Sequence, residues 1–513
     1  MKCSVRFRYL LFVCIGAFLL SCGSKKNKTY NTALTHPKRE FRGAWIQTAW
    51  QDRYRSMSSN QMRNYFVDLL DNLQAAGINA VIFQARPQAD AFYNSQLEPW
   101  SAFATGVQGK AMADGFDPLD FLIKECHKRN MELHAWLNPY RVKLSENQTL
   151  VRNHMYTLYP DRFVKYGTQV YFDPGIPANR EHICKVVKDI VSRYDVDAIH
   201  MDDYFYPYPI AGKQFPDDRS FAKYGLTQGY NANNKDDWRR NNVDQLIKEI
   251  KETIVLTKPW VRFGVSPFGI YQNKQGNNGG SDTKGLQNYD DLYANVKKWV
   301  KNKWVDYNMP QVYWEIGHKN ADYTTLTAWW ANNNFEQPLY IGQDVARTMD
   351  AKMTSGDNQL AEKMRQERSN PHVHGNSFWS GYLIAENYKG VGSTLKNSYH
   401  KYPALIPAYT HMHKKTPKKV KNVKEVYTQN THALEWERDG KANDPESGQY
   451  FVVYRFAKGE KENLNDPRHI VEITKDTRYR LPYESGKTNY KYVITAVDAF
   501  HNESKGKSKK LTL

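Results

Sequence analysis

Cysteine and long apolar runs are both scarce in this sequence, and each scarcity excludes a class of protein. The 513 residues contain five cysteines, too few for a disulfide-stabilised scaffold, and no Cys/His spacing matches a zinc site. A Gly-x-Ser-x-Gly elbow and a Gly-x-Gly-x-x-Gly phosphate loop are absent as well. We therefore predict no metal, no other cofactor and no serine nucleophile.

The composition is that of a globular protein with a strong positive charge. Hydrophobic residues make up 40% and charged residues 25% of the chain, which excludes a disordered or collagen-like protein. The net charge is +18, but much of the excess lies at residues 25–28, 411–424 and 505–510, in the termini and a linker. We therefore expect attraction to an acidic polymer or a membrane surface, and no nucleic acid as partner.

The one long apolar run lies at the N-terminus, where it resembles a bacterial lipoprotein signal. A basic start is followed by an apolar stretch over residues 9–20, which is too short to span a bilayer, and then by Ser21-Cys22. We predict a signal peptide over 1–21, lipidation at Cys22 and a flexible tether over 22–39. The protein would then be lipid-anchored to a bacterial membrane, facing the periplasm; a plain cleaved signal is the alternative.

Residues 40–407 alternate between short apolar segments and longer segments of helical period, which predicts an α/β fold. Eight such units indicate a (β/α)8 barrel of the TIM type. Links from helix to strand are short and links from strand to helix are long, so we expect the site at the C-terminal rim of the strands. The predicted strands are 41–48, 80–86, 132–139, 197–204, 262–268, 307–314, 338–343 and 375–380.

The sequence pattern changes after a Pro- and Lys-rich linker over residues 408–419. Short alternating strands fill residues 420–513 and predict a β-sandwich. The run 490–504, with Trp436 upstream, resembles a fibronectin type III domain. We expect a spacer or a surface for docking other proteins, and no chemistry.

Side-chain alternation along the strands predicts which residues point to the barrel axis. On strand four, His200, Asp202 and Tyr204 share the inner face, whereas Asp203 should point away from Asp202. Asp203 is counted with Glu98 and Asp202 among the predicted catalytic residues, and His200, Asp203 and Tyr204 should orient the Asp202 carboxylate. Alternation on the other strands, together with the rim loops, predicts a barrel interior rich in amides, Arg and aromatic rings. Such side chains hydrogen-bond to sugar hydroxyls and stack on sugar rings. The further residues predicted to bind substrate are Trp45, Gln84, Arg86, Trp100, Asn138, Tyr140, Arg141, Tyr206, Gln311, Tyr313, Trp314 and Glu315.

Carboxylate chemistry on glycosides fits these residues, because it needs one acid and one second carboxylate. Asp202 is one candidate, although it could instead pair with a neighbouring Arg. Glu98 and Glu315 compete for the other role. Glu98 lies beside Trp100, and an apolar neighbour raises the pKa of a carboxyl group. We expect Glu98 as general acid and Asp202 as nucleophile or base. The alternative for either glutamate is a solvated loop residue.

Seven stretches in order resemble the glycosyl hydrolase-like 10 family: residues 41–45, 83–87, 98–101, 133–141, 200–207, 266–269 and 310–314. The resemblance implies a (β/α)8 lipoprotein that cleaves peptide-free peptidoglycan strands between N-acetylmuramic acid and N-acetylglucosamine. It also implies a catalytic role for Glu98. Ser266-Pro267 stand where many glycosidase barrels carry a glutamate, so a two-glutamate arrangement does not transfer.

The implied substrate suits a basic rim. The lactyl group of muramic acid carries a carboxylate, which Arg86 and Arg141 could bind. Two alternatives stay open from the sequence: a hydrolase of another polysaccharide, and a glycan-binding lipoprotein without catalysis.

Overall fold

The structure is a computed structural model that describes residues 36–145, 147–428, 431–483, 486 and 488–513. The predicted signal peptide, Cys22 and the predicted tether up to residue 35 lie outside the described residues. Residues 36–513 form one compact unit. Within the described ranges, no helix combines the length and the apolarity that a membrane crossing requires.

Eight parallel strands form the predicted barrel, which confirms the fold class. Hydrogen-bonded neighbours run in the order β7-β8-β1-β2-β3-β4-β5-β6. Two parallel bridges, Asn308 with Leu339 and Gln311 with Gly342, then join the sixth strand to the seventh and close the ring. The strands are β1 Phe41–Ile46, β2 Ala80–Arg86, β3 Glu132–Leu137, β4 Ala198–Met201, β5 Arg262–Val265, β6 Tyr307–Asn308, β7 Ile341–Asp344 and β8 Gly375–Trp379.

Helices cover the outside of the barrel. The main ones are α1 Ser59–Ala75, α2 Pro118–Lys128, α3 Pro177–Arg193, α4 Lys235–Thr257, α5 Val296–Lys301, α6 Tyr323–Asn332, α7 Leu360–Ser369 and α8 Gly381–Ala385. Shorter helices lie in the loops, at Asp52–Arg55, Ala102–Thr105, Met155–Leu158, Asp218–Ser220, Asn288–Asp291, Val345–Asp350 and Val391–Thr394.

Local sequence explains where these helices begin and which face they bury. Ser58 and Gln61 exchange side-chain and backbone hydrogen bonds in a capping box at the start of α1. Asp117 caps α2 ahead of a proline at its first position. Along α1, Met62, Phe66, Leu69, Leu70 and Leu73 recur at helical spacing and are buried against the barrel.

The strands are shorter than predicted where they approach the C-terminal rim. β4 ends at Met201 rather than at 204, because the Asp202 carboxylate accepts the Tyr204 N–H, 3.3 Å away, in place of a ladder partner. Long loops begin at this rim. The loop after β3 carries its own three-stranded antiparallel sheet, made of Arg141–Lys143, Phe163–Tyr166 and Gln169–Phe172.

The C-terminal part is a sandwich of two antiparallel sheets, as predicted. One sheet has the order β9-β10-β13 and the other β12-β11-β14-β15. Trp436 and Leu434 of the first sheet share a core with Phe451, Tyr492 and Ile494 of the second. Its membership of the fibronectin type III class stays a prediction. The strands are β9 Lys421–Thr428, β10 Thr431–Glu437, β11 Tyr450–Ala457, β12 Ile470–Thr474, β13 Arg478–Arg480, β14 Asn489–Val497 and β15 Lys507–Thr512.

The sandwich packs against the N-terminal ends of the barrel strands, which we call the barrel floor. Lys38 pairs with Glu503 of the sandwich at 2.6 Å. The predicted linker also contacts the floor, since the Tyr409 and Tyr340 hydroxyls lie 2.6 Å apart. The opposite rim, with its long loops, is left open to solvent and ligands.

Candidate active site

A pocket of about 270 Å³ opens at the C-terminal rim of the barrel strands. This is the rim at which the loop asymmetry of the sequence predicted a site. The walls combine two carboxylates, one guanidinium, several amides and seven aromatic side chains. The residues are Trp45, Gln47, Ala49, Trp50, Gln84, Trp136, Arg141, Asp202, Asp203, Tyr204, Tyr208, Ser266, Gln311, Tyr313 and Trp379.

Asp202 lies directly after β4 with its carboxylate against the pocket. The Trp136 indole N–H donates to Oδ2 at 2.9 Å, and the Asn138 amide nitrogen lies 3.4 Å from Oδ1. Burial, and then the negative charge of Asp203, raise the pKa of Asp202 to about 7; Arg141 acts in the opposite direction. A carboxyl group with this pKa is protonated in part of the molecules at neutral pH, as a general acid requires.

Asp203 lines the same pocket, so the prediction that it points away from Asp202 is wrong. Alternation of side chains holds only inside a strand, and β4 has already ended at Met201. The Gln311 amide donates to Asp203 Oδ1 at 3.1 Å, and the Tyr208 hydroxyl donates to Oδ2. The pKa of Asp203 is raised, because the effect of burial exceeds the opposite effect of these two donors.

Arg141 is the cationic side chain of the pocket wall. Its guanidinium lies 4.4 Å from the centre of the Tyr204 ring and 5.5 Å from that of Trp50. Its backbone N–H is held by the Asn138 side-chain oxygen at 2.9 Å. In the part of the chain that the structure describes, Arg141 forms no ion pair, although it is almost fully buried. A buried guanidinium in this state is well suited to receive an anionic ligand.

Aromatic rings form much of the remaining wall. Trp45 meets Tyr313 edge to face with centroids 6.3 Å apart, and Trp136 meets Trp379 in the same way at 6.0 Å. Trp50 is 62% exposed at the mouth. Ring faces of this kind stack on the apolar faces of sugars, while indole and phenol groups supply polar edges.

Glu98 is placed outside this pocket, in a buried ion pair. Arg86 donates to both of its carboxylate oxygens, at 2.7 and 2.6 Å, and His182 Nε2 lies 2.9 Å from Oε1. Burial raises the pKa of Glu98, but the charge of Arg86 and the hydrogen bonds from His182 and Arg86 outweigh it, so the pKa falls to about 2. The expected rise in its pKa is therefore wrong.

The same ion pair corrects the expectation for Arg86. Both side chains have no exposed surface, so the Arg86 guanidinium is committed to Glu98 and does not face a ligand. Alternation along β2 had placed Arg86 on the inner side but could not show that a loop carboxylate covers it. Of the two arginines predicted to bind an anionic group of the substrate, Arg141 lines the pocket and Arg86 does not.

The remaining predicted residues separate into three groups. Trp45, Gln84, Tyr204, Gln311 and Tyr313 line the pocket with Asp202 and Arg141. Asn138 supports Asp202 from behind, and His200 lies below the pocket between the Tyr307 and Ser266 hydroxyls. The others lie outside the pocket walls: Trp100, Tyr140, Tyr206, Trp314 and Glu315.

Three of the residues outside the pocket, Glu315, Tyr206 and Trp314, have contacts that explain their place. The Glu315 carboxylate accepts from the Met353 N–H and the Thr354 hydroxyl. The Tyr206 hydroxyl accepts from Asn242 at 3.3 Å. The Trp314 ring packs edge to face on Phe268 at 5.4 Å. These residues follow their strands by one or more positions, where alternation no longer predicts direction.

Several lining residues were not among the predicted substrate contacts: Gln47, Trp50, Trp136, Tyr208, Ser266 and Trp379. Alternation along the first and third strands already predicts that Gln47 and Trp136 face the barrel axis, and along β8 it could have identified Trp379. Trp50 and Tyr208 lie in loops, where only the folded chain decides direction. No group of three or more His, Cys, Asp or Glu side chains is arranged to ligate a metal ion within the described ranges.

The family profile described as glycosyl hydrolase-like 10 matches residues 40–358, which include every residue of the pocket wall except Trp379. The chain belongs to that family. Glycosyl hydrolase YngK of Bacillus subtilis is 37% identical over 521 residues, covering 98% of both chains. Glycosyl hydrolase DigH of Escherichia coli is 36% identical over 372 residues, covering 66% of this chain and 83% of its own.

The protein is thus a glycoside hydrolase built on a (β/α)8 barrel. Among solved structures, the α-L-fucosidase isoenzyme 2 of Paenibacillus thiaminolyticus superposes with a TM-score of 0.45 at 13% identity, over 70% of this chain and 49% of that one. In this hydrolase, Asp202 and Asp203 are the two carboxylates on the pocket wall within the described residues.

Proposed function

We propose that this hydrolase cleaves peptidoglycan glycan strands that have lost their stem peptides, between N-acetylmuramic acid and N-acetylglucosamine. The observation that carries the proposal is Arg141, which lies beside Asp202 and Asp203 with no ion-pair partner among the described residues. The lactyl group of muramic acid ends in a carboxylate. A planar guanidinium can bind both oxygens of such a group.

The same contact supports a preference for peptide-free strands. A stem peptide is attached through an amide bond to the lactyl carboxyl group, which removes its negative charge. A strand with peptides would therefore offer no carboxylate to the buried Arg141 guanidinium, and the charge-assisted hydrogen bond to the ligand would be lost. The net charge of +18 further favours a polyanionic glycan by long-range attraction.

In the proposed reaction, Asp202 protonates the leaving glycosidic oxygen as the C1–O bond breaks. Asp203, whose carboxylate accepts from Tyr208 and Gln311, stabilises in its ionised form the positive charge that develops on the sugar ring. Water then adds to C1 and gives one proton to Asp202, which restores the acid. Glu98 is not given the role of acid, because Arg86 and His182 hold it as a buried carboxylate.

Exchanging Arg141 for Met tests the substrate. We expect Arg141→Met to lower kcat/KM on peptide-free strands by about tenfold or more, since a charge-assisted hydrogen bond to a carboxylate is lost. Cleavage of chitin oligosaccharides, which lack the lactyl carboxylate, should change by no more than about twofold. Product masses from both substrates give the rates and identify the bond that is cut.

Arg162→Met is the matched control. Arg162 lies in the same rim loop, stacks on Tyr159 at 4.1 Å and is not part of the pocket wall, so its loss should affect both substrates equally and weakly. An equal decrease of kcat/KM on both substrates in Arg141→Met would contradict the proposal that Arg141 recognises the lactyl carboxylate. Rapid cleavage of a different polysaccharide, with none of peptide-free strands, would assign the pocket to another glycan.

We further propose that the hydrolase is lipid-anchored through Cys22 to a bacterial membrane and faces the periplasm. The support is the sequence of apolar run, Ser21 and Cys22 at the N-terminus. Fatty-acid labelling of the expressed chain should mark the wild type and leave Cys22→Ala unlabelled and released from membranes. Label that persists in Cys22→Ala would place the modification elsewhere.

A further inference from the structure

A continuous chain of hydrogen-bonded side chains runs through the barrel interior, from the floor to the wall of the pocket. At the floor, Glu132 Oε2 and His134 Nε2 lie 3.0 Å apart, and His134 Nδ1 lies 2.7 Å from the Tyr307 hydroxyl. The same hydroxyl is 3.0 Å from His200 Nδ1. His200 Nε2 in turn is 3.0 Å from the Ser266 hydroxyl, which lines the pocket. We call these five side chains the axial relay.

The charge at the floor end of the axial relay determines which atom of each hydrogen bond carries the hydrogen. Burial raises the pKa of Glu132, but the charges of Arg262 and His501 outweigh this and hold the pKa well below its usual range. Glu132 is therefore ionised and can only accept, so His134 must carry its proton on Nε2. Burial lowers the pKa of both His134 and His200, which leaves both imidazoles neutral.

Each remaining hydrogen bond then has one possible direction. His134 Nδ1 has no hydrogen and accepts from the Tyr307 hydroxyl. The Tyr307 oxygen accepts from His200 Nδ1–H, which leaves His200 Nε2 as an acceptor. The Ser266 hydroxyl consequently donates to His200.

We propose that the axial relay commits the Ser266 hydrogen to His200 and thereby presents only the oxygen lone pairs of Ser266 to the bound sugar. Ser266 then accepts a hydrogen bond from a hydroxyl or amide N–H of the glycan. Glu132, His134, Tyr307 and His200 are positioning residues, since they act through Ser266. The identity of the ligand as a glycan rests on the proposed function, whereas the proton order of the relay does not.

The residues around the axial relay exclude water from it and fix the positions of its side chains. His134, His200 and Tyr307 have no exposed surface. Gly264 of β5 leaves room for the Tyr307 ring, because a Cβ atom there would lie 1.9 Å from it. His501 of the sandwich reaches Glu132 at 2.7 Å, beside Arg262, also at 2.7 Å. The C-terminal sandwich thus supplies a side chain to the charged end of the relay.

Removing the Tyr307 hydroxyl tests the proposal, with Tyr340→Phe as the matched control. The Tyr340 hydroxyl is buried in the same aromatic layer but bonds Tyr409, outside the relay. Without the Tyr307 oxygen, His200 Nδ1–H has no acceptor, so its proton should move to Nε2 and turn the Ser266 hydrogen toward the pocket. Nitrogen-15 NMR of the histidines should show this exchange in Tyr307→Phe and not in Tyr340→Phe.

Kinetics provide the second measurement. Tyr307→Phe should lower kcat/KM on peptide-free strands by about tenfold, the worth of one hydrogen bond to the ligand, while Tyr340→Phe changes it by no more than about twofold. Ser266→Ala should cause a similar loss. The double variant Tyr307→Phe/Ser266→Ala should lose no more than either single variant, because both remove the same contact.

Three results would overturn the proposal: a wild-type His200 that carries its proton on Nε2, equal kinetics in Tyr307→Phe and Tyr340→Phe, or additive losses in the double variant. If Tyr307→Phe does not fold, the wild-type His200 spectrum and the kinetics of Ser266→Ala decide the matter. If the wild type cleaves no peptidoglycan strand, the proposed function fails, and the His200 spectrum still decides the proton order.

Discussion

Asp202→Asn is expected to lower kcat on peptide-free strands by about 10²–10⁴-fold, because the general acid is lost. Asn retains the size of the side chain and its contacts with Trp136 and Asn138 but has no acidic proton to donate. Asp203→Asn should also be severely impaired, since the negative charge that stabilises the cationic sugar is removed. Single-turnover cleavage of purified strands, read by mass spectrometry, measures both losses.

Asp344→Asn is the matched control for these variants. Asp344 is a half-buried carboxylate at the end of β7 that lies outside the pocket wall and caps the following helix through the Arg347 N–H at 2.8 Å. Asn can also cap a helix, so activity and melting temperature should stay close to the wild type. Activity in Asp202→Asn equal to that of the control would refute the assignment of the acid.

The pH dependence provides a further check on Asp202. The reactive form is the protonated one, and burial with the charge of Asp203 raises its pKa to about 7. The value of kcat/KM should therefore decline as the pH rises through about 7, and this alkaline limb should be set by Asp202. If kcat/KM instead declined with a midpoint near pH 3.9, the usual pKa of an exposed Asp, the decline would not be due to Asp202 as assigned here.

Glu98→Gln is expected to lower the free energy of unfolding by about 3–5 kcal/mol, because it leaves the Arg86 guanidinium buried without its counter-charge. The carboxylate and guanidinium have no exposed surface, so water cannot replace the lost partner. The family resemblance implied a catalytic glutamate here, whereas the structure indicates a role in holding β2 to its rim loop. Urea denaturation measures the loss of stability.

A double variant separates the two roles of Glu98. Replacing both partners by apolar residues of similar size, as in Arg86→Met/Glu98→Leu, should recover much of the lost stability, since no unpaired charge stays buried. Turnover per folded molecule should then be close to the wild type. Restored stability with turnover still reduced by orders of magnitude would instead make Glu98 a catalytic residue.

The ion pair also makes stability depend on pH. The pKa of Glu98 is about 2 in the folded protein and about 4.3 in an unfolded chain. The pair therefore stabilises the fold fully above the unfolded value, and this contribution disappears as the pH falls from about 4.3 toward 2.

Alternation along the strands predicted the site well where the chain is regular and failed where it is not. Gln84 lies inside β2 and faces the pocket as expected. Asp203 was misjudged because β4 ends before it, so the backbone turns and brings both carboxylates to one wall. Trp50 and Tyr208 lie in rim loops, where no periodicity constrains the direction of a side chain.

The sequence by itself determined the barrel, the sandwich, the rim at which the site is built and the family, because these follow from periodicity, loop length and ordered motifs. Only the tertiary structure decided which charges meet. It joined Arg86 to Glu98 inside the wall and aligned the side chains between Glu132 and Ser266. It also placed Arg141 at the pocket, where no described residue forms an ion pair with it. Such pairings depend on distances of about 3 Å between residues far apart in the chain, and local patterns do not encode them.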